Sequence, residues 1–277
     1  MTNPYENLFI YYLNGLPQPD PAVETSPDFL GNWVEEDMAF LFFSSRKDRL
    51  VRDLVDRQAG LELVDTFEMT GEEWHGDKIE PYRVNDLRIS PPWLVPEGVT
   101  DEEDKPIDIT MDPGVVFGTG RHPTTEECLY LIHRLFSKEE IHSVLDIGTG
   151  TGLLALGAAA LGCSRVLACD FNYLAVRTCL NNIRLNRFQD RIIAFQARGE
   201  QIMEIPCDLL VANIHYDVMR HMIEDPALLA KKWVILSGLL HSEAKKVLVS
   251  LSEKPVHIVE RRCPDGIWNT ILVRPVP

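Results

Sequence analysis

The sequence predicts an α/β protein, in which a doubly wound, mainly parallel sheet is closed by an antiparallel pair and preceded by a small α+β unit. Three observations point to this. From residue 124 onward, short apolar runs alternate with segments of helical length, the pattern of strands joined by covering helices. Near the C-terminus, HIVERRC and IWNTILVR flank a Pro264–Gly266 turn, which suits an antiparallel pair. The first 94 residues instead place several strand-like runs around one amphipathic segment.

In chain order, LFIYYLNG (8–15) reads as a strand entering a turn. PQPDPAVETSP (17–27) carries four prolines, which exclude a regular helix or strand. WVEEDMAFLFFS (33–44) reads as one strand. SRKDRLVRDLVDRQAG (45–60) has apolar residues at 50, 51, 54 and 55 and ends in Gly60, so it reads as an amphipathic helix. LELVDTFEMT (61–70) and YRVNDLRISPPW (82–93) complete the unit as strands. The acidic, turn-rich stretch that follows marks 95–110 as a linker to a second unit over 111–277.

In that second unit, helices are expected over 124–136, 152–162, 174–186, 218–232 and 242–252. Strands are expected over 143–148, 165–170, 191–197, 207–214 and 233–240. The strand ends at Asp146, Asp170 and Asn213 then gather at the carboxyl edge of the sheet, where such folds bind ligands.

Charge divides the chain. Residues 1–110 hold 24 acidic against 9 basic residues, and residues 111–277 hold 18 of each. The acidic half is read either as a solvated surface or as a docking region for a basic partner, and phosphate repulsion argues against direct nucleic-acid binding. The N-terminus shows no basic region ahead of an apolar stretch, and the longest apolar run, 152–162, is too short to cross a bilayer. The six cysteines form no CxxC pair, and the eight histidines show no ligand spacing. A cytoplasmic protein with reduced, buried thiols and no metal site is expected.

The most specific signal is SVLDIGTGTG (143–152), with Asp170 twenty-two residues past the first glycine. Gly148, Gly150 and Gly152 follow a strand and precede a helix, where bare backbone lets a ligand lie close. The dinucleotide fingerprint needs its third glycine where Leu153 stands, which removes the nicotinamide reading. Asp146 two residues before a G-x-G-x-G run, with Thr149 inside it, instead resembles motif I of the class I S-adenosylmethionine-dependent methyltransferases. That resemblance implies a Rossmann-like fold, with the Asp170 carboxylate holding both ribose hydroxyls of the cofactor.

Just upstream, MDPGVVFGTGRHPTTEECL (111–129), followed by VLDIGTGTGLLAL, VANI (211–214) and VILSGLL (234–240), resembles the bacterial ribosomal protein L11 methyltransferase family. The resemblance extends into GEEWHGDKIEPYRVNDLRISPPW (71–93). It implies an S-adenosylmethionine-dependent protein N-methyltransferase, a monomer, that methylates lysine or α-amino groups of a ribosomal protein. Cofactor contacts are then expected at Thr125, Gly148, Asp170 and Asn213, together with Asp146, Thr149, Gly150 and Gly152 of the glycine loop. Thr125 lies near a helix N-terminus, which suits the cofactor's carboxylate. Phe117 and Thr119 are placed in a lid over the cofactor, with plain packing as the alternative. Asn213, His215 and Tyr216 are the catalytic candidates: the asparagine orients the incoming amine, and His215 relays a proton or lines the pocket.

Two other readings stay open at this point, the same chemistry on another protein lysine or a small molecule, and a cofactor-binding module without turnover. The family's N-terminal domain is ferredoxin-like, with order βαββαβ. Proline-rich 17–27 falls where its first helix belongs, so that domain is expected to be abbreviated or rearranged.

Overall fold

The computed structural model describes residues 2–94, 106–116 and 120–276. The first elements are β1 (Leu8–Asn14), α1 (Pro21–Glu24), β2 (Phe29–Glu35), β3 (Met38–Phe43), α2 (Asp48–Arg57) and β4 (Glu62–Met69). They form an antiparallel sheet in the order β2-β3-β1-β4. This is the complete βαββαβ topology. The abbreviation falls on α1 alone, a single turn capped by the Asp20 carboxylate, which accepts from Ala22 N at 2.9 Å. The run 33–44, expected as one strand, is a hairpin. Glu36 and Asp37 supply the turn, with Glu36 at φ +49°.

Each face of this sheet is covered. Tyr11, Leu13, Leu41 and Phe43 pack on Val51 and Leu54 of α2. Leu8, Ile10 and Phe42 face the other way, against Val115, Val116, Leu174 and Ala175 of the rest of the chain. Gly31 sits at this seam, where a Cβ would overlap the Leu174 side chain.

Next come α3 (Gly71–His75), β5 (Tyr82–Val84), β6 (Leu87–Ser90) and β7 (Ile107–Thr110). A reciprocal box starts α3: Thr70 Oγ1 accepts from Glu73 N at 3.1 Å, and the Glu73 carboxylate accepts from Thr70 N at 2.7 Å. The run 82–93 is a second hairpin, turned at Asn85 with φ +50°. Residues 95–105 of the expected linker lie outside the described residues, and its end is strand β7, paired parallel to β6. Leu87, Ile89 and Ile109 of these strands join the core of the large sheet, while Trp93 packs beside Tyr5 in the cluster shared with the ferredoxin-like sheet.

The remaining elements are α4 (Pro123–Phe136), β8 (Ser143–Ile147), α5 (Leu153–Ala160), β9 (Arg165–Asp170), α6 (Tyr173–Leu185), β10 (Ile192–Gln196), β11 (Leu209–Asn213), α7 (Tyr216–Glu224), β12 (Trp233–Leu240), α8 (His241–Ser252), β13 (Val256–Arg262) and β14 (Trp268–Pro275). The large sheet has the order β10-β9-β8-β11-β12-β14-β13. Its pairs are parallel except those made by β14. The expected helix over 218–232 ends at Glu224 because Pro226 lacks an N–H, and a 3-10 turn over Pro226–Ala230 follows, capped by Asp225.

Alternation along the strands supplies two cores. Val144, Val166, Leu209 and Val211 point toward α4, α5 and α6, whereas Leu145, Leu210, Ala212 and Val234 point toward α7 and α8. From the central β8 the chain winds outward through β9 and β10, then returns to place β11 on the other side of β8. The crevice at the carboxyl ends of β8 and β11 is therefore the switch point of the sheet.

Gly31→Ala is expected to lower stability by about 1–3 kcal/mol, because Leu174 is buried and has little room to yield. Urea unfolding of the variant beside the parent chain checks this, and equal midpoints would contradict the packing described at that seam.

Candidate functional site

Strand β8 ends at Ile147, and the chain turns sharply through three glycines. Gly148, Gly150 and Gly152 have φ of +70°, +55° and +86°, the left-handed region that side chains disfavour. A Cβ at 148 would overlap Ile214, and one at 152 would meet the Cys179 sulfur. The loop is tied to the end of β9. The Cys169 carbonyl accepts from both Gly148 N and Thr149 N at 2.9 Å, and Asp170 Oδ2 accepts from Gly150 N at 3.0 Å. Asp170 Oδ1 accepts from Asn172 N at 2.9 Å, which orients the carboxylate at the start of α6. Burial raises the Asp170 carboxyl above its usual range.

Asp146 occupies a different place from the one expected of a cofactor contact. It is fully buried behind the loop, and its Oδ2 accepts from Thr149 Oγ1 at 2.6 Å. Its Oδ1 has no hydrogen-bond partner among the described residues. Burial pushes this carboxyl up to about 7. Its contribution is to hold Thr149 in position.

A cavity of about 450 Å³ opens at the switch point. Thr125, Gly148, Thr149, Gly150, Asp170, Asn213 and His215 line it. Thr125 stands in the first turn of α4, whose N-cap, His122, accepts from Thr124 N at 3.4 Å. Asn213 Nδ2 donates to Thr125 Oγ1 at 3.3 Å, so two residues 88 positions apart meet across the crevice. Gly152 lies beyond the wall as the N-cap of α5. His215, exposed at the N-cap of α7, borders the cavity. Tyr216 does not: it is the first residue of α7 and packs toward the α7–α8 core, with the Lys246 ammonium 5.1 Å from its ring centroid. Phe117 and Thr119 lie outside the described residues.

Sequence reasoning missed part of this wall. Trp33 and Glu35 reach it from β2, more than a hundred residues before the glycine loop. No local pattern marks them. Phe171 was legible in principle, since an aromatic residue directly after the strand-end carboxylate, 54% exposed here, has no core to fill.

The lining fits an adenosylated sulfonium compound. Two strand-end acceptors, a helix N-terminus and bare glycine backbone converge on one chamber beside apolar Phe171, Ala197 and Leu153. Glu200 and Arg198 complete the far wall.

Asp146 carries a pH prediction. In the folded chain it keeps its proton up to about pH 7, against 3.8 for an ordinary aspartate. Between those values the folded state binds the extra proton, so raising the pH through that window removes stability. Asp146→Asn retains an acceptor for Thr149 without the charge. Its stability relative to the parent is expected to grow from pH 4 to pH 7, by roughly 4 kcal/mol at most, and then level off. Urea unfolding at pH 4.5, 6 and 8 reads this, and a difference independent of pH would contradict it.

The sequence profile described as "Ribosomal protein L11 methyltransferase (PrmA)" matches residues 33–275. A protein of Streptococcus pneumoniae serotype 4 (strain ATCC BAA-334 / TIGR4) named ribosomal protein L11 methyltransferase is 32% identical over 284 aligned positions, covering 91% of this chain and 87% of its own. A protein of the same name from Lactococcus lactis subsp. lactis (strain IL1403) is 35% identical over 198 positions. That alignment takes in 70% of this chain and 61% of the relative, so the matched part spans less than two thirds of that protein.

Among solved structures, a ribosomal protein L11 methylase from Lactobacillus delbrueckii subsp. bulgaricus superposes with a TM-score of 0.60 at 26% identity. The match covers 71% of this chain and 100% of that one. The METTL16 methyltransferase domain lacking its N-terminus shares the fold, with a TM-score of 0.51 at 15% identity over 60% of this chain and 88% of that one. The glycine loop, the strand-end carboxylate and the Thr125–Asn213 contact thus lie in a sequence matched across most of its length, and this chain belongs to the ribosomal protein L11 methyltransferase family.

Proposed function

We propose that this chain transfers the methyl group of S-adenosylmethionine to lysine or α-amino groups of ribosomal protein L11. The observation that carries the reading is the convergence of Gly148–Gly150, Asp170, Thr125 and Asn213 on one cavity at the switch point, in a member of this family.

S-adenosylmethionine supplies an already activated methyl group, so the protein's tasks are grip, alignment and exclusion of water. Asp170, its outer lone pairs turned from the loop amides, accepts the two ribose hydroxyls. The hydroxyl of Thr125, at the positive end of α4, receives the carboxylate, while its amide stays with the His122 carbonyl at 2.9 Å. Asn213 holds Thr125 through Nδ2, which leaves its Oδ1 to accept from the incoming amine. That amine must be neutral to attack. For a lysine of pKa ~10.4 this costs about 4.6 kcal/mol at pH 7, and for an α-amine of ~7.7–8.0 only about 1–1.4 kcal/mol. A lysine target therefore depends on a dry pocket or a base. His215 at the rim is the candidate for proton relay. The acidic balance of residues 1–110 supports a basic protein as target over a nucleic acid.

Radiolabelled cofactor in a ribosome-containing lysate tests the reading. Label on L11 is expected; label on another protein transfers the same chemistry to a different target, and uptake without labelling leaves a binding module. Asp170→Ala is expected to weaken cofactor binding about 100-fold or more in calorimetry, the loss of two hydrogen bonds to a charged group. Unchanged uptake would remove the assignment. His215→Ala is expected to reshape the pH dependence of turnover; an unaltered profile takes His215 out of the proton path.

A further inference from the structure

A second cavity, about 560 Å³, adjoins the first. Trp33, Glu35 and Val116 line both chambers, so the two meet at the end of β2. The second chamber lies between Phe40 of the ferredoxin-like sheet, the end of α3 at Trp74 to Asp77, and Arg121, His122 and Pro123 at the start of α4.

Its walls are rigid and aromatic. Trp74 packs edge-on to Phe42 with centroids 5.0 Å apart, and its Nε1 donates to the Val115 carbonyl at 3.1 Å. His75 Nε2 lies 3.1 Å from the Gly114 carbonyl and donates to it. Tyr5 donates to Asp112 Oδ1 at 2.6 Å. These three bonds latch the loop over 112–116 to the N-terminal unit. Trp33 packs into the same apolar cluster as Val115 and Val116.

The charges are unequal. Arg121 lies 3.5 Å from Asp77 and 3.3 Å from Glu80, so the chamber's guanidinium is already matched by carboxylates. Burial lowers both His75 and His122, which leaves them uncharged at neutral pH. Among the described residues Glu35 enters no ion pair and no side-chain hydrogen bond, and it is exposed at the junction of the two chambers. An unmatched carboxylate beside indole faces is the chemistry that takes up an alkylammonium group.

We propose that this second chamber admits a lysine side chain of the protein target, with Trp33 and Trp74 flanking its stem and Glu35 meeting its ammonium where the chamber opens onto the cofactor cavity. The proposal rests on the methyl-transfer reading above and deepens it by favouring lysine over an α-amine. A chain terminus brings no four-carbon stem to lie along the indoles.

Two measurements on the full chain test it. With L11 as the varied substrate, Glu35→Gln is expected to raise KM about tenfold, with a smaller effect on kcat, and Glu35→Asp to recover most of the loss. A KM within twofold of the parent for Glu35→Gln overturns the proposal. Independently of turnover, Nα-acetyl-lysine methylamide is titrated against the protein and followed by tryptophan fluorescence, with its Nε-acetylated form as the neutral control. A saturable response to the charged probe alone, weakened about tenfold in Glu35→Gln, is expected; equal responses to the two probes overturn it. If L11 is never methylated, the functional reading fails, and the probe titration still decides what the chamber binds.

Discussion

Two backbone amides share one carbonyl at the centre of this protein. Gly148 N and Thr149 N both donate to the Cys169 oxygen, and Gly150 N donates to the next side chain along, Asp170. Three successive N–H groups are thereby committed to the end of the neighbouring strand. The loop is set before any ligand arrives, and little conformational freedom remains to be lost on binding. The left-handed angles that permit this turn confine positions 148, 150 and 152 to glycine. Asp146 and Thr149 hold the loop from behind, and Asp170 faces it from the front. The rest of the site is arranged around this tie.

The N-terminal unit is part of the chamber rather than an appendage to it. A ferredoxin-like sheet covers one face with its own helices. Here the second face is buried against Val115, Val116, Leu174 and Ala175. That burial carries the end of β2 to the rim of the cofactor cavity and fixes the 112–116 loop through Tyr5, Trp74 and His75. The shortened α1 leaves β2 and its neighbours less covered on the other side, next to Phe171 and Tyr173. The N-terminal unit and the crevice at the switch point are therefore joined through a single apolar seam.

Legibility in the sequence followed locality. The glycine loop, Asp170, Thr125 and Asn213 each declare themselves within a strand–turn–helix context of a few residues, and they line one cavity. Tyr216, the first residue of α7, turns toward the α8 side, whereas His215 before it stays at the rim. The hairpins at 33–44 and 82–93 looked like single strands because their turns are two polar residues inside apolar runs, without glycine or proline. Trp33 and Glu35 carry no local mark, since their place in the site arises from a sheet docking across more than a hundred residues of chain. The apolar period of 218–232 continues through Pro226, but the backbone obeys the proline and the helix stops at Glu224.

Strand β14 lies between β12 and β13, hydrogen-bonded on both sides, although it is made after both of them. A growing chain can form β8 to β12 with their helices, but β13 has no neighbour to pair with until residues 268–275 emerge. The outer part of the large sheet is therefore completed only once residues 268–275 have been made, by a strand inserting between two that already wait. Until then β12 presents an open, apolar edge, the kind of strand edge that can pair with another chain.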